Sequence, residues 1–105
     1  MSTLTYAGTP VEVDAEGFLS QTDQWSREIA AAIAAEEGIG ALNERRWMVI
    51  DYMRKIYLET GSAPSIRTLG KASGVPIKEL YELFPHGPAK LAAKIAGIPK
   101  PRGCI

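Results

Sequence analysis

Residues 64–97 read PSIRTLGKASGVPIKELYELFPHGPAKLAAKIAG, and prolines and glycines divide this stretch into segments of helical length. A serine or proline lies where each segment begins, and a glycine or proline follows where it ends. These residues predict three short helices, Ser65 to Ser73, Pro76 to Phe84 and Pro88 to Ala96. Their close succession is typical of a helix-turn-helix-like centre.

Two further helices are predicted on the N-terminal side of this stretch. An apolar residue recurs every four positions over residues 25–33, which indicates a helix that begins at Thr22 and ends at Gly38. A longer and more buried helix fits between Asn43, whose side chain can cap a helix N-terminus, and the stop signal Thr60-Gly61.

The first 19 residues have the pattern of a small β-hairpin. The β-prone segment from Leu4 to Val13 is interrupted by Ala7-Gly8-Thr9, which favours a turn. The predicted fold class is therefore mainly α with a small N-terminal β-hairpin, an α+β arrangement. We expect a single globular domain over residues 1–97, with the hairpin in residues 1–19 and a helical core in residues 22–97.

The composition excludes several classes of protein. The chain has 105 residues, with 12 Lys+Arg balanced by 12 Asp+Glu. The longest apolar run, Ile29 to Ala35, is far shorter than the roughly 20 residues that cross a bilayer, and the pattern of the first residues predicts no secretory signal. We therefore expect a cytoplasmic protein without membrane contact. One cysteine and one histidine form neither a disulfide nor a four-ligand zinc site, so neither a metal nor a cofactor is expected.

The charges are unevenly distributed along the chain. Residues 1–42 contain seven acidic residues and one basic residue, whereas residues 85–105 contain four basic residues and no acidic one. Residues 98–105, IPKPRGCI, contain two prolines and no periodic apolar face, which predicts a flexible C-terminal arm. A basic arm of this kind favours an acidic partner surface or phosphates.

Cys104 lies near the tip of this arm. A lone cysteine is often a small buried hydrophobe, but a residue next to a terminal carboxylate favours an exposed thiol. In an extended conformation, residues 98–104 reach roughly 20 Å, far enough to enter a partner's active site. No base or second thiol lies nearby in the sequence, so we expect a carrier rather than a stand-alone catalyst. The predicted partner-docking residues are Pro99, Lys100, Pro101, Arg102 and Gly103.

Two segments carry a family resemblance. LFPHGPAK at residues 83–90 and KIAGIPKPRGCI at residues 94–105 are similar to the C-terminal signature of the TusE/DsrC family of sulfur-relay proteins. Upstream residues fall in the order and approximate spacing of that family, so that the resemblance covers nearly the whole chain. These residues are Asp14 to Leu19, Trp25, Glu37-Gly38-Ile39, Trp47, Tyr52, Arg54, Tyr57 and Pro64 to Leu69.

The resemblance implies that Cys104 receives sulfane sulfur as a persulfide and passes it to a partner enzyme. In TusE-like members, sulfur arrives from a TusBCD-type complex and goes to a tRNA-thiolating enzyme that forms 2-thiouridine. In DsrC-like members, the donor is of DsrEFH type, the partner is a dissimilatory sulfite-reductase complex, and a second cysteine pairs with the first. Here Ala93 stands at the position of that second cysteine, which leaves a one-cysteine relay.

A DNA-binding regulator is the alternative from a different class. Residues 66–85 resemble the helix-turn-helix of TetR-type repressors. The would-be recognition helix has Lys78 against Glu79 and Glu82, a net negative charge where phosphates would lie, so direct DNA binding is not expected.

Two other residues have alternative roles. His86 is either an exposed turn residue or a group that orients Cys104. Arg54 lies on the inward side of its helix, where it needs a carboxylate or carbonyl partner, and from there it can support a docking groove for the arm.

Overall fold

Two strands and five α-helices make up the part of the chain that the structure, a computed structural model, describes: residues 2–85 and 87–101. The strands are β1 (Ser2–Tyr6) and β2 (Thr9–Val13). The helices are α1 (Arg27–Glu36), α2 (Glu44–Thr60), α3 (Ile66–Ala72), α4 (Ile77–Leu83) and α5 (Pro88–Ile95). The predicted fold class, mainly α with a small N-terminal hairpin, is confirmed.

The hairpin is antiparallel, with Ser2 opposite Val13 and Tyr6 opposite Thr9. Ala7 and Gly8 both have positive φ, 52° and 79°, as the tight two-residue turns of hairpins require. A loop after β2 returns along the hairpin, because Leu19 forms an isolated antiparallel bridge with Val13. The predicted hairpin is therefore present.

Most helix boundaries follow from local capping, as predicted. Asn43 accepts a hydrogen bond from the backbone N–H of Arg46 at 2.9 Å, and Gly61 ends α2 with a φ of 80°. The predicted start of the first helix at Thr22 is wrong. Residues Thr22–Gln24 form only a 3-10 turn, and α1 begins at Arg27 after the N-cap Ser26.

Helix α5 lies at the centre of the core. It contacts each of the other four helices, and its alanines at 89, 92 and 93 are buried, which lets the neighbouring backbones approach closely. Large apolar side chains from all parts of the chain belong to the same buried cluster as its alanines. They include Phe18, Ile33, Ile50, Met53, Leu80 and Phe84. The C-terminal arm thus leaves the domain from the end of its most buried helix. The prediction that the helix after Asn43 is the more buried one is wrong, because only Val49, Ile50 and Met53 of α2 are buried.

None of the helices within residues 2–85 and 87–101 has the length and apolar character needed to span a membrane.

Candidate functional site

The arm base, residues 97–101, follows α5 directly and packs on the domain. The N–H of Gly97 donates to the carbonyl of Lys94 at 3.2 Å, and the N–H of Ile98 donates to that of Ala93 at 3.1 Å. This pair of hydrogen bonds, with a φ of 70° at Gly97, is a Schellman motif. It turns the chain sharply out of α5, as the predicted stop at Gly97 requires.

Part of the predicted arm is held against the domain. Ile98 and Pro101 are buried, Pro99 is half-buried and Lys100 is exposed. Pro99, Lys100 and Pro101 line one side of a cavity of about 250 Å³, opposite Tyr57 and the loop between α2 and α3. The division at residue 97 and the flexibility of the arm over residues 98–105 stay predictions.

Trp25 and Arg54 hold the last two carbonyls of the helical segment from which the arm emerges. The indole Nε1 of Trp25 donates to the carbonyl of Ile95 at 2.8 Å. Arg54 Nη1 donates to the carbonyl of Ala96 at 2.8 Å, and Nη2 donates to that of Thr22 at 3.4 Å. We call Trp25 and Arg54 the clamp of the arm base. The predicted carbonyl partner of Arg54 is confirmed, whereas its support of a docking groove stays a prediction.

The two clamp residues also contact each other. The guanidinium carbon of Arg54 lies 4.2 Å from the centroid of the Trp25 ring, a cation–π contact. Burial lowers the pKa of the Arg54 guanidinium from its ordinary value, and the charge of Asp51 partly offsets this shift. The group remains a cation at neutral pH. Sequence reasoning used Trp25 only as the first residue of the apolar repeat over residues 25–33 and as part of the family resemblance. The signal it missed is that a half-buried indole N–H needs an acceptor.

Gly97 is where the clamp touches the arm base most closely. A Cβ placed on Gly97 would lie 2.3 Å from Cδ1 and 2.7 Å from Cγ of Trp25. Carbon atoms make favourable contacts only at about 3.5–4.0 Å. Glycine is therefore required at this position both for its positive φ and for the space that the indole occupies.

An exposed ion pair ties the arm base to the loop after β2. Lys100 Nζ lies 3.1 Å from Oε2 of Glu16, with 38% and 51% of the two side chains exposed. The loop is ordered by Asp14, whose carboxylate accepts hydrogen bonds from the N–H groups of Glu16 and Phe18 at 2.9 and 3.0 Å. Sequence reasoning placed Lys100 in the arm but did not identify Glu16 as its partner.

Four residues of the sequence-based site lie outside the described residues. They are His86, Arg102, Gly103 and Cys104. The predictions for them, including the sulfur-carrying role of Cys104, remain predictions. Ala93, where the family resemblance places a second cysteine in DsrC-like members, is fully buried in α5.

The helix-turn-helix-like pair α3 and α4 is present, but Glu79 of α4 is engaged in an ion pair within the fold. Arg45 Nε donates to Oε2 of Glu79 at 2.8 Å, and this hydrogen bond lowers the pKa of Glu79 below its ordinary value of 4.5. An ionised carboxylate thus occupies the helix that would face DNA phosphates, which argues against that role.

Comparison with known proteins now gives the family. The family model described as DsrC like protein matches residues 5–105. The chain belongs to the DsrC-like family. Sulfurtransferase TusE of Salmonella typhimurium strain LT2 is 47% identical over 109 residues, covering 97% of this chain and 99% of that protein. The dissimilatory-type sulfite reductase subunit gamma of Nitratidesulfovibrio vulgaris is 43% identical over 105 residues, covering all of both chains.

The fold agrees with solved structures of DsrC-like proteins. The crystal structure of dissimilatory sulfite reductase I (DsrI) superposes with a TM-score of 0.88 at 43% identity, covering 99% of this chain and 100% of that one. The predicted family is confirmed. The DNA-binding alternative finds no support in these comparisons, whose proteins are named for sulfur transfer and sulfite reduction.

Proposed function

We propose that this chain is a one-cysteine sulfur carrier that receives sulfane sulfur on Cys104 and passes it to a partner enzyme. The observation that carries the proposal is that this DsrC-like chain has one cysteine in 105 residues, with Ala93 at the position of the second. A sulfur atom on such a chain is held as a persulfide on one side chain. It cannot be bridged between two cysteines of the same molecule.

The transfer needs no external oxidant or reductant. The Cys104 thiolate attacks the outer sulfur of a donor persulfide, forming a new S–S bond as the donor's own S–S bond breaks. The products are the Cys104 persulfide and the donor thiolate, so that electrons and atoms balance. An acceptor nucleophile then attacks the outer sulfur of this persulfide and releases the Cys104 thiolate.

We assign the chain to the TusE-like branch. Its sulfur then comes from a TusBCD-type donor complex and goes to a tRNA-thiolating enzyme in the cytoplasm, by analogy with the relatives named sulfurtransferase TusE. The second candidate is a DsrC-like role, with a DsrEFH-type donor and a dissimilatory sulfite-reductase complex as partner. The full-length match to a sulfite reductase gamma subunit favours that role, but a buried alanine at position 93 removes the paired-cysteine chemistry.

Mass spectrometry of the intact protein tests the proposal. We expect the chain to gain one reductant-labile sulfur, mapped to Cys104, after incubation with a TusBCD-type complex, a cysteine desulfurase and cysteine. The Cys104→Ser variant should fold normally and gain none. Loading of that variant, or no loading of the wild-type chain by any donor, would refute the carrier function.

Replacement of the chromosomal TusE of Salmonella typhimurium separates the two branches. In the TusE-like branch, this chain restores 2-thiouridine in tRNA and Cys104→Ser does not. Loading of Cys104 without restored 2-thiouridine would instead direct the assignment to the sulfite-reductase branch.

A further inference from the structure

A cavity of about 530 Å³ opens between the C-terminal end of α1, the outer side of α5 and the loop after β2. Part of its lining is apolar, with Phe18 fully buried and Ile39 and Leu91 half-buried. Its charged lining residues are Glu16, Glu37, Lys90 and Lys94. A concave site of this size, which combines apolar and charged side chains, has the volume of a ligand-binding site.

Three of these four charges already have partners within the protein. Lys94 Nζ lies 2.8 Å from Oε2 of Glu37, with only 17% and 25% of the side chains exposed. The same amine would lie 3.3 Å from a Cβ placed on Gly17, so the turn after β2 packs against it. Glu16 pairs with Lys100 of the arm base. The two carboxylates and Lys94 are therefore neutralised in pairs.

Lys90 supplies the remaining charge. It is exposed, and among residues 2–85 and 87–101 it has no ion-pair or hydrogen-bond partner. It lies in the first turn of α5, where the helix dipole disfavours a cation, and no acidic residue of that turn compensates it. Helix stability thus gives no reason for a lysine here. The cavity has one uncompensated positive charge beside apolar side chains.

Chain length limits how far Cys104 can lie from the arm base. Cys104 follows the buried Pro101 by three residues, which extend at most about 10 Å. A partner that reaches Cys104 while the arm base stays packed therefore comes within about 10 Å of Pro101. Glu16 belongs both to the cavity lining and to the ion pair with Lys100, so the cavity adjoins the arm base.

We propose that this cavity docks a segment of the sulfur-donor protein in which a carboxylate lies next to an apolar side chain. The carboxylate pairs with Lys90, and the apolar side chain packs on Phe18, Ile39 and Leu91. This inference rests on the proposed carrier function, in which the donor persulfide must come within reach of Cys104. A free small carboxylate or a second copy of this chain are the other occupants that the experiment distinguishes.

The Cys104→Ser chain cannot accept sulfur, so its Kd for the purified TusBCD-type complex of Salmonella typhimurium measures binding without sulfur transfer. We expect Lys90→Glu in this background to raise the Kd about tenfold, and Lys90→Gln about threefold. The matched control is Lys55→Glu, which makes the same charge change at an exposed position of α2 away from the cavity. It should change the Kd less than twofold, and thermal unfolding should show that all the variants are folded.

Equal Kd values for Lys90→Glu and Lys55→Glu, or no binding of the Cys104→Ser chain, would overturn the docking proposal. Amide shifts around the cavity with 4-methylpentanoate, together with an unchanged Kd of Lys90→Glu for the complex, would assign the cavity to a small carboxylate instead. Self-association that Lys90→Glu abolishes, again with an unchanged Kd for the complex, would assign it to a second copy.

A separate measurement distinguishes failure of the carrier function from failure of the docking proposal. Inorganic polysulfide transfers sulfur to the Cys104 thiolate without any partner protein, leaving a polysulfide one sulfur shorter. Wild-type and Lys90→Glu chains should gain this sulfur equally, whereas loading from the donor complex should fall only in Lys90→Glu. If the wild-type chain gains no sulfur from any source, the carrier function is refuted. The comparison of Kd values still decides whether the cavity docks the donor complex.

Discussion

Gly97→Ala tests whether the clamp holds the arm base as tightly as the geometry indicates. Alanine at a φ of 70° costs about 1–2 kcal/mol for the left-handed backbone alone. Its Cβ would also lie 2.3 Å from Trp25 Cδ1, so the indole must move. That movement breaks the 2.8 Å hydrogen bond to Ile95 and the 4.2 Å contact with Arg54. These losses add about 1–2.5 kcal/mol, for a total of about 2–4.5 kcal/mol.

The chain offers a matched control in Gly38→Ala. Gly38 ends α1 through the same Schellman motif, since the N–H of Ile39 donates to the carbonyl of Ala34 at 2.9 Å. Its φ is 79°, and a Cβ there meets nothing within 4 Å. Gly38→Ala should therefore show only the backbone cost of about 1–2 kcal/mol. The difference between the two variants measures the contact of Gly97 with Trp25.

Urea unfolding followed by tryptophan fluorescence gives both free energies. In a Trp25→Ala background, the cost of Gly97→Ala should fall to that of Gly38→Ala, because the steric partner is gone. Equal destabilisation by Gly97→Ala and Gly38→Ala in the wild-type background would refute the clamp. The arm base would then be packed more loosely than these distances indicate.

Two further predictions follow from the side-chain contacts. Arg54→Met should destabilise the protein by about 1–3 kcal/mol in thermal unfolding, because it leaves the carbonyl of Ala96 without its charged donor; an unchanged melting temperature would contradict this role. The pKa of Glu79 is lowered by Arg45, so their interaction stabilises the fold above pH 4.5 and is lost as the pH falls through the folded-state value. Glu79→Gln should therefore flatten the acid side of a stability profile against pH, and a profile parallel to the wild type would show that the pair contributes nothing.

The elements that could be predicted from the sequence are those whose causes are local. Asn43 caps α2 through a hydrogen bond to a residue three positions away, and Gly97 ends α5 through its own backbone conformation. The start of α1 is different. The chain at Trp25 is extended, with a ψ of 148°, which interrupts the apolar periodicity that predicted a helix from Thr22. The hydrogen bond of its indole is made with a residue 70 positions away, and such a partner has no local signal.

The candidate site shows the same division between local and long-range causes. The arm was predicted from its prolines, its basic charge and its cysteine, all of which are visible in the sequence. The burial of Ile98 follows the common pattern in which the residue after the glycine of a Schellman motif packs back on its helix. The sequence contained this signal, but the two prolines of the arm led to the prediction of a flexible segment. The clamp contacts and the pairing of Lys100 with Glu16 join elements that only the tertiary fold brings together.

The packing of the arm base bears on how a carrier of this size delivers its sulfur. Complete exposure of Ile98 alone would cost about 1.5–3 kcal/mol, before any loss of the Schellman hydrogen bonds. A partner that pulls the whole arm away from the domain must supply that free energy, whereas a partner that docks beside the arm base needs only the few residues after Pro101. In the second case the partner contacts the domain surface and Cys104 at the same time. This case predicts that specificity for the partner lies on the domain surface near α5 as well as in the arm, and a synthetic peptide of residues 98–105 should accept sulfur from the donor complex far more slowly than the whole chain.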